Sequence, residues 1–392
     1  MSSRGNPLSL YLHIPFCTTK CTYCAFNTYT KLEQLIPDFV HALCREIQFL
    51  ADRNPSYDVG TIFFGGGTPT LLSPTQFEAI FNTINACFDV RDDAEITTEA
   101  NPNDLSYDYL KALRDLGINR MSIGMQSADP DELKIFARRH DHEKVVQVLP
   151  DARKAGFDNL SLDLIYAAPY QTLASWRKTL NEVIRLQTDH ISLYALGLED
   201  GTPLKDWVEA GSVPRPDDDL AADMYDMATE VLGTAGFIQY EISNWALPGR
   251  ESRHNLQYWY NLPYAGLGPG AHGFAGGVRY ATIRAPQKYI NTLLSDPIDH
   301  SLVFPRTPAT IDDVVVERDS EIAETLIMGL RLTQEGIHRE TFRQRFGVDL
   351  ISLHADPINK YVRLGLLDVD AQRVRLTAQG RLLSNIIFRD LV

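Results

Sequence analysis

Three cysteines, Cys17, Cys21 and Cys24, stand in the string Cys-Thr-Thr-Lys-Cys-Thr-Tyr-Cys, close enough for one tight loop to turn all three thiols toward a common centre. Iron–sulfur clusters are held by such thiolates. A four-iron cluster with three protein ligands keeps one iron open to take a substrate's amino and carboxylate groups and pass it an electron. The competing chemistry is a structural zinc site of three Cys and one His, with His13 as the fourth ligand. Structural zinc motifs usually come as two separated pairs, and no second pair is present. Cys44 and Cys87 fall in helical patterns, where a cysteine packs as a small hydrophobe.

Further along the chain, Gly65-Gly66-Gly67-Thr68-Pro69 would let backbone N–H groups approach a ligand, with the threonine hydroxyl as an added partner. Read alone, the same string is a tight turn after a strand. Glu99 and Asp163 can accept hydrogen bonds from ribose hydroxyls or an amino group, Gln126 can donate and accept, and Arg138 can pair bidentately with a carboxylate. Isolated strand-end carboxylates and an Arg-Arg-His run are otherwise solvated or capping groups. His254-Asn255-Leu-Gln-Tyr258-Trp259 sets a histidine beside two large aromatics. Such a histidine can ligate heme iron while the rings cover the macrocycle, or can be a satisfied histidine in an aromatic patch. His272, in Gly-Pro-Gly-Ala-His-Gly, sits in a glycine-rich loop, where it could contact a ligand or only shape the loop.

The elements carrying these residues give them order. Strand-like runs at residues 8–14, 61–65, 94–100, 120–125, 159–166 and 189–196 alternate with helical patterns near 33–53, 74–88, 106–117, 142–156 and 172–187. Ser73 before Pro74, and Ser106 before an apolar-periodic run, mark helix starts; Gly117 and Gly156 mark ends. This alternation predicts an α/β fold of parallel strands with crossover helices, as an open sheet or a complete or partial barrel. Cys17 follows the first strand, the glycine string ends the second, and Glu99 ends the third. Gln126 ends the fourth, Asp163 lies in the fifth, and Ala195 is near the end of the sixth. Carboxyl ends of parallel strands are where α/β enzymes place their sites. After about residue 200 the alternation fades into a Gly-, Pro- and Asp-rich segment and a helix near 217–235. A polar, aromatic stretch covers 239–280, and a helix at 320–332 leads into short pieces that read as a small helical or winged-helix-like appendage. No internal repeat is visible.

A chain of 392 residues suggests two domains or one large barrel with an appendage. A 44% hydrophobic and 22% charged composition is that of a soluble globular protein, and a net charge of −14 argues against a binder that tracks nucleic-acid phosphates. The longest apolar runs are strand-sized, well short of the roughly 20 residues a membrane-spanning helix needs. The N-terminus lacks the pattern of a secretory signal, and clustered cysteines fit metal ligation in a reducing compartment, so a cytoplasmic location is expected.

The wider string YLHIPFCTTKCTYCAF (residues 11–26), with Tyr23 directly before the last cysteine, resembles the signature of the radical SAM superfamily. It is most similar to the branch that holds the oxygen-independent coproporphyrinogen III dehydrogenases (HemN type) and their heme-chaperone relatives (HemW type). The similarity continues through GGGTP, Glu99-Ala-Asn-Pro102, Ile123-Gly-Met-Gln126-Ser and Leu162-Asp163-Leu-Ile-Tyr166 into the C-terminal region. It implies a partial (β/α)6 TIM-type barrel to about residue 280, with a heme-motif segment at 239–275, then a C-terminal HemN-like module over 281–392. It implies a [4Fe–4S] cluster on Cys17, Cys21 and Cys24, reducing SAM to methionine and a 5′-deoxyadenosyl radical. The implied SAM contacts are Tyr11, Tyr23, Gly66, Gly67, Thr68, Glu99, Gln126, Arg138, Asp163 and Ala195, with His272 near the position of a second SAM. HNxxYW resembles the mark of the chaperones and would make His254, Asn255, Tyr258 and Trp259 heme contacts. Two departures separate the chain from the dehydrogenases: Phe26 stands where they carry a fourth cysteine, and few residues precede Tyr11. Implied partners are heme, a heme-accepting protein and a reductant such as a flavodoxin or ferredoxin.

Overall fold

The computed structural model describes residues 7–295, 299 and 301–391. Strands β1 (Leu8–Ile14), β2 (Val59–Gly66), β3 (Val90–Ala100), β4 (Arg120–Gln126), β5 (Leu160–Tyr166) and β6 (His190–Ala195) lie side by side in chain order, each pair parallel. Parallel neighbours need crossovers, and helices fill them. These are α1 (Ile36–Ala51), α2 (Pro74–Cys87), α3 (Tyr107–Asp115), α4 (Pro130–Ile135) with α5 (His142–Ala155), and α6 (Leu173–Arg185). β4 is buried along its whole length, as a strand with both faces covered must be. The helices present apolar stripes to it: α6 buries Trp176, Leu180 and Val183 at helical spacing. Ser73 and Thr172 start α2 and α6 with reciprocal capping boxes.

The sheet does not close. After α7 (Pro203–Glu209) and α8 (Asp218–Thr234), β7 (Ile238–Glu241) and β8 (Asn244–Ala246) extend it beyond β6. After α9 (Arg253–Trp259), β9 (Tyr264–Leu267), β10 (His272–Ala275) and β11 (Val278–Thr282) extend it beyond β1. Following α10 (Pro286–Leu294), β12 (Thr310–Val315) forms the outer edge of that extension. The order is therefore β12-β11-β10-β9-β1-β2-β3-β4-β5-β6-β8-β7, an incomplete barrel in which β9 continues the parallel run beside β1 and the outer strands of both wings pair antiparallel. The polar stretch 239–280 thus forms β7–β11 and α9, pieces of three to seven residues that are too short for a periodicity to register.

A second core begins with α11 (Arg318–Gly329). Ile322, Leu326, Phe342, Tyr361, Val374 and Ile387 pack together, with a three-stranded antiparallel sheet of Ile337–His338, Arg373–Leu376 and Leu367–Val369. Helices with a small antiparallel sheet match the appendage expected here. Among the described residues, no helix is long and apolar enough to cross a membrane.

Candidate cluster and cofactor site

The loop after β1 is tied down from several sides. The Cys17 N–H donates to the Tyr29 carbonyl (2.9 Å), and Thr22 donates through its hydroxyl to the Ile135 carbonyl (2.6 Å). Tyr23 packs edge-on against Phe136 with centroids 5.3 Å apart. Cys17, Cys21 and Cys24 are all free and line one cavity of about 630 Å3. Burial pushes the Cys17 thiol up to about 11, against a hydrogen bond from Thr68 at 3.5 Å, and also raises Cys24. Loading a metal group there must therefore displace protons. Among the described residues, no three His, Cys, Asp or Glu side chains converge as one metal ion would need. A four-iron cluster takes one thiolate per iron and accepts a wider triangle than tetrahedral zinc. His13 takes no part: its ring nitrogens meet the Tyr11 hydroxyl (3.1 Å) and the Asn27 carbonyl (3.0 Å).

The carboxyl ends of the other strands complete the cavity, which Tyr23, Gly66, Gly67, Thr68, Glu99, Gln126, Arg138, Asp163 and Ala195 also line. Gly66 adopts φ +105°, and its N–H donates to Glu99 Oε2 (3.0 Å). A side chain on Gly67 would meet the Phe16 and Ile14 carbonyls, so the turn can press against the cluster loop only as glycine. Ser122, beside Asp163 on the neighbouring strand, donates to both carboxylate oxygens at 3.0 Å. Burial, then the Asp163 charge, raises Glu99 to about 7, and burial likewise raises Asp163. Each favours a ligand that donates hydrogen bonds or brings positive charge. Arg138 reaches Cys21 Sγ (3.5 Å) and the Gly124 carbonyl (2.8 Å), while its buried Nε has no partner among the described residues. Gln126 ends β4 with φ +66°, at a register irregularity, and is buried in the cavity wall.

A second cavity, also about 630 Å3, adjoins the first at Ala25 and Phe26. Tyr11, Tyr258, Trp259 and His272 line it, and the Tyr11 ring also neighbours Glu99 of the first cavity across Gly65. His254 and Asn255 line neither. His254 is 1% exposed, with ring nitrogens on Thr61 Oγ1 (2.7 Å) and the Tyr258 hydroxyl (2.8 Å), and burial lowers its pKa to about 3. The reading of His254 as an iron ligand therefore meets a histidine already satisfied inside the protein. Asn255 starts α9, its N–H donating to Ser252 (3.3 Å).

The sequence profile of the radical SAM superfamily matches residues 11–183, and that of the HemN C-terminal domain matches residues 316–383. The chain is 35% identical to the heme chaperone HemW of Lactococcus lactis, over 97% of this chain and 96% of that one. It is likewise 35% identical to the heme chaperone HemW of Bacillus subtilis, over 97% and 98%. The chain belongs to the radical SAM superfamily, in the HemW family. A solved structure of coproporphyrinogen III oxidase (HemN) from Escherichia coli, described as a radical SAM enzyme, superposes with a TM-score of 0.83 at 25% identity. It covers 98% of this HemW-family chain and 90% of its own. Superfamily membership implies a [4Fe–4S] cluster and SAM. The residues fit: three free thiols on one loop, glycine N–H groups, two carboxylates and an incompletely paired guanidinium share one cavity.

Residues the sequence reading did not single out also line the HemW-family cavities. Ser122, Asn101 and Tyr194 join the first, and Asn27, Arg279 and Arg284 the second. A serine inside a buried strand was a usable signal for Ser122; nothing local marks Arg284, which becomes a neighbour of Phe26 only through the sheet.

Proposed function

We propose that this chain is a heme chaperone that binds heme and a SAM-liganded [4Fe–4S] cluster and passes the heme to an acceptor protein. The observation that carries the reading, beside the similarity to heme chaperones, is the pair of cavities meeting at Phe26. In the first, Cys17, Cys21 and Cys24 would hold the cluster, and the backbone at Gly66 and Gly67 with Thr68 would face the methionine end of SAM. Glu99 and Asp163 would accept hydrogen bonds from its amino group and ribose, with Gln126, Arg138, Tyr23 and Ala195 closing the walls. When bound, the cluster supplies an electron to SAM at its open iron. The second cavity goes to heme, which leaves one SAM per chain. Its aromatic wall of Tyr258 and Trp259 suits a macrocycle, and the exposed Phe26 replaces a thiol with an apolar face between the two ligands. A flavodoxin- or ferredoxin-type reductant and a cytoplasmic setting complete the proposal.

Hemin titration of anaerobically reconstituted protein, followed by visible absorption, tests it. We expect about four irons per chain and saturable hemin binding. Conversion of coproporphyrinogen III to protoporphyrinogen at catalytic turnover, given SAM and a reductant, would overturn the chaperone reading in favour of a dehydrogenase.

A further inference from the structure

Two histidines line the second cavity and one lies behind it, and their surroundings differ. His13 has both ring nitrogens hydrogen-bonded, at 3.1 and 3.0 Å, and His254, behind the wall, has both at 2.7 and 2.8 Å. His272 alone is exposed to the cavity, and its ring has no hydrogen-bond partner among the described residues. Its backbone is held firmly. β10 pairs with β11, where His272 faces Ala281, and the His272 carbonyl packs so tightly on Gly266 that a Cβ there would lie 1.9 Å from it. The result is a free imidazole on a rigid strand start.

The cations of the cavity divide in the same way. Arg279 is committed to Glu324 at 2.7 Å through Nε. Arg284 has no carboxylate partner among the described residues, while its carbonyl accepts from Asn27 Nδ2 (3.0 Å) and the Tyr29 hydroxyl (3.1 Å). Its backbone is fixed and its guanidinium is available.

We propose that His272 ligates the iron of heme in the second cavity and that Arg284 pairs with a heme carboxylate, His254 serving only to position Tyr258. This rests on the heme-chaperone reading and deepens it. A neutral imidazole nitrogen is an iron ligand, guanidinium and carboxylate pair bidentately, and aromatic rings cover a macrocycle. His254 has no nitrogen left to give. It stacks on Phe63 with centroids 5.0 Å apart and braces the Tyr258 hydroxyl.

The test is a hemin titration of the full-length chain and its His272→Ala, His254→Gln and Arg284→Ala variants, each checked for folding by circular dichroism. His272→Ala should shift the Soret band and weaken hemin binding at least roughly tenfold. In His272→Gly, added imidazole should restore the wild-type band. His254→Gln should keep the wild-type band wherever it is folded. Arg284→Ala should narrow the preference for hemin over hemin dimethyl ester. An unchanged band and affinity in His272→Ala, or loss of the band in folded His254→Gln, overturns the ligand assignment alone. No saturable hemin binding by the wild type overturns the chaperone reading and this assignment together.

Discussion

At the scale of single residues, the cluster loop depends on an atom that is missing. A Cβ on Gly67 would lie 2.5 Å from the Phe16 carbonyl and 2.7 Å from that of Ile14. Both are backbone atoms of the segment leading into Cys17, and neither can rotate away. Gly67→Ala should therefore cost about 1–3 kcal/mol, as overpacking does, and should lower reconstituted iron by displacing Cys17. A urea midpoint and iron content at wild-type values would rule out the close approach. Glu99 provides a pH prediction. Burial and the Asp163 charge raise its carboxyl from 4.5 to about 7 in the folded chain. Its contribution is fully present below the unfolded pKa and is lost as pH rises through the folded value, because ionisation penalises only the native state. Between about pH 4.5 and 7 this amounts to on the order of 2 kcal/mol, allowing for its partial exposure to the cavity. Glu99→Gln should remove that part of the decline in the cluster-free chain, seen as a smaller fall of the urea midpoint from pH 5 to 8. An identical fall in both proteins would sink the assignment.

At the scale of elements, β9 and β10 act as one device for holding His272. Gly266 faces the His272 carbonyl so closely that Gly266→Ala must spread the two strands. We expect a loss of at least about 2 kcal/mol by thermal melting, with weaker hemin binding in whatever remains folded. A stable variant with wild-type hemin affinity would show that the strand pair does not set the site. The same elements explain what the sequence made legible. The alternation from β1 to β6 was readable because long apolar periods and capped helices repeat there, and with it came the strand-end placement of Glu99, Gln126 and Asp163. α4, α9 and the antiparallel wings were not, since each is too short to carry a period. His254 drew attention by its residue type beside Tyr258 and Trp259. Its burial against Thr61 and Phe63 depends on β2, nearly two hundred residues earlier, and no local signal reports that. Tyr11 entered by resemblance; its ring lines the second cavity and also lies beside Gly65 and Glu99, a position that depends on β2 and β3 and that no local pattern reports.

At the scale of the whole molecule, the large sheet runs on past residue 280 through β11 and β12, and the second core starts at α11. We therefore propose that the boundary between the two units falls between Val315 and Arg318. Arg331 is one of several side chains that join them, alongside Arg345 on the Asn261 carbonyl and the Arg279–Glu324 pair. Arg331 pairs with Glu241 at 3.2 Å, lies over the Trp259 ring at 4.4 Å, and receives the Ile242 N–H on its carbonyl at 3.1 Å. Glu241 is fully buried, and desolvation raises its pKa even with Arg331 and Asn244 in contact. Removing the arginine leaves that carboxyl uncompensated, so Arg331→Ala should cost about 3–5 kcal/mol at neutral pH. The sign with pH follows. Without Arg331 the folded pKa of Glu241 rises further, so the variant keeps stability at low pH and loses it as pH rises toward the new value. Arg331→Ala should thus approach the wild type at pH 5 and fall furthest behind at pH 8. Adding Glu241→Gln should recover much of the difference at pH 8, a coupling that a double-mutant cycle of urea midpoints measures directly. Equal losses at both pH values, with no recovery in the double variant, would mean that Arg331 works by packing on Trp259 and not by charge. In that event hemin affinity should fall in parallel with stability, because the C-terminal unit would then be shaping the wall of the second cavity.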